Sequence, residues 1–488
     1  MLRPNVILLG LILISTRTPC CVGQTESKNS EARISRIVNC LPSPVTIQGE
    51  AVECKTLASR MAELKVPGVS VAVIHNGAIE WAKGFGFASP DGTPVNETTL
   101  FQAGSISKPV SAMAALHLAQ IKKLPLEGDI NNSLKSWHLP PLSSAPGSSV
   151  TLRELLSHTA GISVHGFRGY VPGEPVPTLV QVLDGIKPTN TAPIRIEKTP
   201  GSDWDYSGGG FTVMQQALID VTHETFPQLM SKMVLNPVGM SHSTYEQPLP
   251  RSMRNSAATP YAANGKPLIS GAHIYPEMAA AGLWSTPSDL GLYILDVQKS
   301  LAGRGSGLLD SKTTSAMLTP GKNHWGLGVE VGGSDPQHPY FTHSGVNEGF
   351  QSLFVGYQKQ RDGAVIMTNS AAGLSIANDL MRSIAVEYGW PDFKPSVRIS
   401  VKVDPTVLEA YAGTYKASPT FIVVYTLEGT QLFAQATGQK KFPIYPESET
   451  KFFMKVVDAE IEFHRDDKGK VDYLTLHQGG HDFMEVRQ

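Results

Sequence analysis

Ser105 and Lys108 stand three residues apart in Phe101-Gln-Ala-Gly-Ser-Ile-Ser-Lys-Pro-Val110. On a helix that spacing lets a hydroxyl and an amine meet across one turn, a nucleophile beside a base. Pro109 times the helix start, because a missing backbone N–H costs nothing in a first turn, where those groups have no internal partner. From Val110 to Ile121 there is no lysine, arginine or carboxylate. The helix is therefore read as buried on most sides, and its mouth is a poor solvent for an ammonium. The same spacing recurs at Ser448 and Lys451, in the charged, proline-led turn Pro446-Glu-Ser-Glu-Thr-Lys451. No helix follows there, so surroundings must separate the two pairs.

Two further stretches carry chemistry-bearing side chains. Tyr206-Ser-Gly208 opens a glycine triplet ahead of a helical pattern with Phe211, Met214 and Leu218 on one face. His343-Ser-Gly345 lies in a strand-like run. His158 and His165 fit no standard metal-ligand spacing and have no cysteine or carboxylate cluster beside them, so no metal is expected. Gly68-Val-Ser-Val-Ala72 has the outline of a nucleophile elbow, but such an elbow needs a helix directly after its serine. Ser70 is followed instead by a β-branched run that reads as strand.

The elements that must position these residues are partly legible. Val69 to Ile74 and Ile79 to Gly84 form a predicted hairpin around Asn76-Gly77, a pair suited to the positive φ angles of a tight turn. Thr151 with Glu154 has the capping-box pattern, and Thr286-Pro287 with Asp289 marks another helix start. Residues 341–368 read as an antiparallel meander, and Val171 to Pro200 as a long loop. The expected class is α+β: an antiparallel sheet flanked by helices with a mostly helical second lobe. Beyond the linker Gly389 to Pro395, short alternating strands with regular turns predict a small sandwich or closed barrel over residues 400–488.

The 488 residues are 41% hydrophobic with a formal net charge of −2, which suits more than one soluble domain. With no long basic block, nucleic acid is not expected as a partner. Residues 1–23 have the layout of a secretory signal, Arg3 followed by an apolar run from Val6 to Ile14, with cleavage expected before Gln24. That run is too short to span a bilayer. The expected location is secreted or periplasmic. Residues 24–56 are read as a polar N-terminal tail; Cys40 and Cys54 within it either pair or stay free.

In chain order, Ser105-Ile-Ser-Lys108, Tyr206-Ser-Gly208 and His343-Ser-Gly345 resemble the serine β-lactamase and penicillin-binding-protein superfamily, most closely its class C, esterase and D-aminopeptidase branch. The resemblance runs from Leu57 to Trp390 and includes Leu152-Arg-Glu-Leu-Leu-Ser-His-Thr-Ala-Gly-Ile162 and Asn236-Pro-Val-Gly-Met240. The tail with Tyr411-Ala-Gly-Thr-Tyr415 resembles the lipocalin-like appendage of some members. The resemblance implies a β-lactamase-like domain over 57–390 that works without a cofactor. Ser105 would be acylated, Lys108 would take its proton, and Tyr206 would share that work as base or relay. His343, Ser344 and Gly345 would form a substrate-binding strand edge, with Gly345 bare so that a substrate backbone can approach. The oxyanion hole would be the backbone N–H groups of Ser105 and Val346. Gly208 stands where many β-lactamases have asparagine, and His343 where they have lysine. Both departures weaken the case for an efficient β-lactamase and are compatible with ester or D-amino peptide chemistry. The expected partner is a small molecule or peptide. The competing expectation is a catalytically weak binding or self-assembling scaffold, with the C-terminal barrel building a homo-oligomer.

Overall fold

The computed structural model describes residues 22–488. The leader read at 1–23 lies, except for its last two residues, outside the described residues. None of the described helices is long and apolar enough to cross a membrane.

Six antiparallel strands form the central sheet: β1 (Gly68–His75), β2 (Ala78–Gly86), β3 (Glu330–Gly332), β4 (Tyr340–Asn347), β5 (Phe350–Tyr357) and β6 (Gly363–Thr368), in the order β2-β1-β6-β5-β4-β3. The β1–β2 hairpin turns at Asn76 and Gly77, both with positive φ (54° and 82°), as its sequence predicts. Ser70 lies mid-strand, fully buried, so the elbow-like motif is a strand.

Alternation sends side chains of one strand to two cores. Val69, Val71 and Val73 pack with Leu353 and Ile366 beneath α1 (Val22–Asn39), α2 (Leu57–Leu64) and the later helix Gly373–Glu387. Ile74, Phe354 and Val365 face the opposite side and join the helical lobe. There lie α3 (Ser107–Gln120), α4 (Gly208–Thr222) and α5 (Pro287–Leu301). Thr151 and Glu154 complete a capping box, and Thr286 caps α5.

The N-terminal segment corrects the sequence reading. Residues read as a tail form α1, whose Ile34 and Ile37 are buried against the sheet layer. Arg33 pairs with Glu80 at 2.9 Å and Arg36 with Glu387 at 2.6 Å. A polar helix with only a narrow apolar stripe leaves little periodicity to read, and its partners lie far along the chain. Cys40 and Cys54 are joined in a disulfide. The predicted loop from Val171 to Pro200 likewise contains a helix, Leu179–Asp184, with Thr178 and Gln181 as its capping box.

Eight strands between Gly413 and Arg487 form a closed barrel, sealed where Tyr415 pairs with Arg487. Closure removes exposed edges. Tyr415, Tyr425, Phe452 and Phe463 fill the interior, and Tyr411 stacks on Phe463 with ring centroids 4.1 Å apart.

Candidate active site

Ser105 sits in a 3-10 turn, Gly104–Ile106, that runs directly into α3. The helix thus begins two residues after Ser105, with Pro109 in its first turn. Lys108 Nζ donates to Ser105 Oγ at 3.0 Å and to the carbonyl of Ala280 at 2.9 Å. The amine is fully buried, and loss of hydration brings its pKa down to about 7. Ser448 and Lys451 provide the contrast. Ser448 Oγ there accepts from the Lys451 backbone N–H, while Lys451 Nζ pairs with Glu460 at 3.1 Å, which raises its pKa.

Lys108 is aimed by the short helix Met278–Ala281, whose last carbonyls have no partners within so short a helix. Ser111 Oγ donates to Ala279 O, Lys108 Nζ to Ala280 O, and Asn347 Nδ2 to Ala281 O. Three successive carbonyls therefore tie α3 and β4 together around the amine. Gln215 on α4 anchors the other end through Ala279 N–H and Pro276 O.

The turn bearing Ser105 is pressed against β4. Gly104 has φ +54°, and a β-carbon there would lie 2.5 Å from Val346 N. A β-carbon on Gly345 would lie 1.9 Å from Ala103 O. The missing side chain at Gly345 is therefore required by the protein's own turn, a demand that the sequence does not display. Strand β3 covers β4 only at Tyr340–Thr342, and beyond it Ser344 and Val346 are exposed.

Tyr206 packs above the amine, with Lys108 Nζ 5.0 Å from its ring centroid. Burial raises the phenol's pKa, with the Ser105 hydroxyl opposing in part, so Tyr206 is held as a neutral phenol. The glycine triplet falls inside α4 rather than before it. A β-carbon on Gly209 would meet Ser163 O at 2.4 Å, and one on Gly208 would meet the Phe167 ring at 2.9 Å. The place of an asparagine side chain is thus filled by Phe167.

His343 Nδ1 lies 2.5 Å from Ser344 O. A carbonyl only accepts, so Nδ1 carries the proton and Nε2 a lone pair. Burial and Lys108 push its pKa down to about 3, and the ring stays neutral.

His158, for which the sequence offers no site role, is 2% exposed under Tyr206, with ring centroids 4.3 Å apart. Its Nδ1 accepts from Ser207 N–H at 3.0 Å. Trp204, Trp325 and Glu330 also line the cavity around Ser105, whose volume is about 520 Å³. None of the three was marked in the sequence: Trp204 lies two residues before Tyr206, and Trp325 and Glu330 are brought in by the turn that leads into β3. No metal-ligand grouping forms at this site among the described residues; Glu460, Glu462 and His477 on the barrel have ligand-like separations, but Lys451 already lies 3.1 and 3.7 Å from the two carboxylates.

A sheet covered on both faces, with a serine and a desolvated lysine at the mouth of a buried helix beside a bare strand edge, defines the β-lactamase and penicillin-binding-protein type of serine hydrolase fold. Residues 55–386 match the Beta-lactamase family model, and the chain belongs to that family. Residues 397–487, the barrel, match a domain of unknown function, DUF3471. Penicillin-binding protein 4* of Bacillus subtilis is 20% identical, covering 88% of this chain and 98% of its own. Among solved structures, the octameric penicillin-binding protein homologue from Pyrococcus abyssi superposes with a TM-score of 0.60 at 20% identity, over 88% of this chain and 98% of that one. The D-alanine carboxypeptidase AmpC from Burkholderia cenocepacia gives 0.54 at 18% identity, over 72% and 99%.

Proposed function

We propose that the protein is a secreted serine acyl hydrolase that forms an acyl-enzyme at Ser105 and acts on a D-amino peptide, β-lactam or ester. The observation that carries this reading is the 3.0 Å contact between Ser105 Oγ and a lysine amine whose pKa is brought to about 7. A serine hydroxyl needs a base as it attacks, and an amine poised near neutrality is one. Oγ attacks the substrate carbonyl carbon while its proton passes to Lys108 Nζ. The proton then moves through the Tyr206 phenol to the leaving group as the carbonyl re-forms. Water attacks the ester in the second half, returning Oγ its proton. The N–H groups of Ser105 and Val346 would receive the oxyanion; losing one such donor typically costs about 2.7 to 4 kcal/mol.

The Cys40–Cys54 disulfide supports an oxidising compartment and hence secretion. The octameric homologue supports a homo-oligomeric state, which the mass in solution would test. The functional reading is tested by offering nitrocefin, p-nitrophenyl esters and D-alanyl peptides to one preparation, beside Ser105→Ala. Turnover of at least one class by the wild type, lost in the variant, is expected. Equal rates in both would contradict the proposal.

A further inference from the structure

The cavity around Ser105 is lined by aromatic rings and by one carboxylate. Trp204 and Trp325 lie with ring centroids 5.6 Å apart, and Tyr206 stands 5.7 Å from Trp325 and 6.5 Å from Trp204. Trp325 and Glu330 face each other across one tight turn, closed by Gly326 N–H to Val329 O at 2.8 Å. That turn therefore delivers an indole and a carboxylate to the cavity together.

Few charged side chains line the cavity, and Glu330 is its one carboxylate. No arginine lines the cavity, and Lys108 is its one lysine. His343 stays neutral, with a lone pair rather than a proton at Nε2. Glu330 forms no salt bridge among the described residues, and partial burial raises its pKa while His324 opposes. His165 also lines the cavity, its ring centroid 4.8 Å from that of Tyr206.

The geometry points to an ammonium-binding subsite, formed by Glu330 with the Trp204, Tyr206 and Trp325 rings, that selects aminoacyl esters or amides over substrates bearing a carboxylate. A cation is attracted both by a carboxylate and by the faces of indole and phenol rings, more strongly where water is displaced. A substrate carboxylate meets no arginine here, only the Lys108 amine packed under the Tyr206 ring, and would be repelled by Glu330. The inference rests on the acyl-enzyme reading above and adds the charge of the group beside the scissile carbonyl.

The test uses the full-length protein and three achiral activated esters at pH 7: the p-nitrophenyl esters of glycine, N-acetylglycine and N-succinylglycine. These carry a cation, no charge and an anion. The expected order of kcat/KM is glycine above N-acetylglycine above N-succinylglycine, with about a tenfold span or more between the ends. In Glu330→Gln the glycine-to-succinylglycine ratio falls about tenfold. A wild-type preference for the succinyl ester, or a ratio unmoved by Glu330→Gln, would overturn the subsite. Turnover of the N-acetyl ester reports on the acyl-enzyme chemistry by itself. If it proceeds while the charge preference is missing, the subsite fails and the hydrolase reading stands. If Ser105→Ala turns over all three esters as fast as wild type, both fall.

Discussion

Gly345 on β4 lies so close to Ala103 that a β-carbon would come within 1.9 Å of the Ala103 carbonyl oxygen. The contact sets the height of the Ser105 turn against the strand edge. Gly104 makes the complementary approach to Val346, with a positive φ that a side chain would strain. Two glycines thus bring together the backbone groups assigned to the oxyanion hole.

Gly345→Ala is accordingly expected to push the turn off the strand. Overpacking of this kind costs about 1 to 3 kcal/mol of stability. Displacing one oxyanion donor lowers kcat by about 10²-fold or more. Urea denaturation and ester kinetics on the same preparation check both; an alanine variant with wild-type kcat would show that the contact does not set the site.

Lys108 must be neutral to accept a proton, so kcat/KM for an uncharged ester should rise with pH through about 7. Lys108→Arg should remove the activity, because arginine does not give up its proton. A flat profile between pH 6 and 8 would contradict the assignment.

The same burial has a stability signature. The folded pKa of Lys108 is depressed below that of an exposed lysine, so between pH 7 and the ordinary lysine range the unfolded chain binds more protons. Stability due to this group therefore increases as pH rises through that interval. Lys108→Met should abolish turnover yet raise Tm at pH 7 by about 5 °C, as removal of an unpaired buried charge allows. The gain should shrink toward pH 10. A variant melting below wild type at pH 7 would argue against the desolvated amine.

Glu277 behaves with opposite sign. It is buried at the start of the helix that holds Lys108, and desolvation raises its pKa to about 8. The folded state binds the extra proton, so stability from this group falls as pH rises from the ordinary carboxylate range through about 8. Glu277→Gln keeps the shape and removes the titration. Its Tm advantage over wild type should grow between pH 5 and 8, as thermal melts across that range will show; a constant difference would place the titration elsewhere.

His158 holds the Tyr206 segment through Ser207 N–H. His158→Phe keeps a ring against Tyr206 but leaves that donor buried without a partner, at a cost of about 1 to 3 kcal/mol. The variant should lose about tenfold in kcat with a smaller change in KM. Wild-type kcat would reduce His158 to packing.

Much of this site was readable before the fold because its chemistry is local. Ser105 and Lys108 lie within one turn, Pro109 times the helix, and Thr151, Thr286 and Asn76-Gly77 mark boundaries through their own side chains or backbone preferences. What was missed depends on distant partners. Ile34 and Ile37 make a helix of a polar segment only because Gly373–Glu387 lies beneath them. Gly345 carries no mark of the turn that would strike its β-carbon, and Trp325 and Glu330 reach the cavity through tertiary placement alone.

The central claim is a covalent acyl-enzyme on Ser105 formed with Lys108 as base. Intact-mass and peptide-mapping mass spectrometry of the folded protein after exposure to a fluorophosphonate tests it most directly. The account predicts one adduct per chain, on Ser105, formed faster as pH rises through about 7 and lost in Ser105→Ala. An adduct on another residue, or equal labelling of Ser105→Ala, would contradict it.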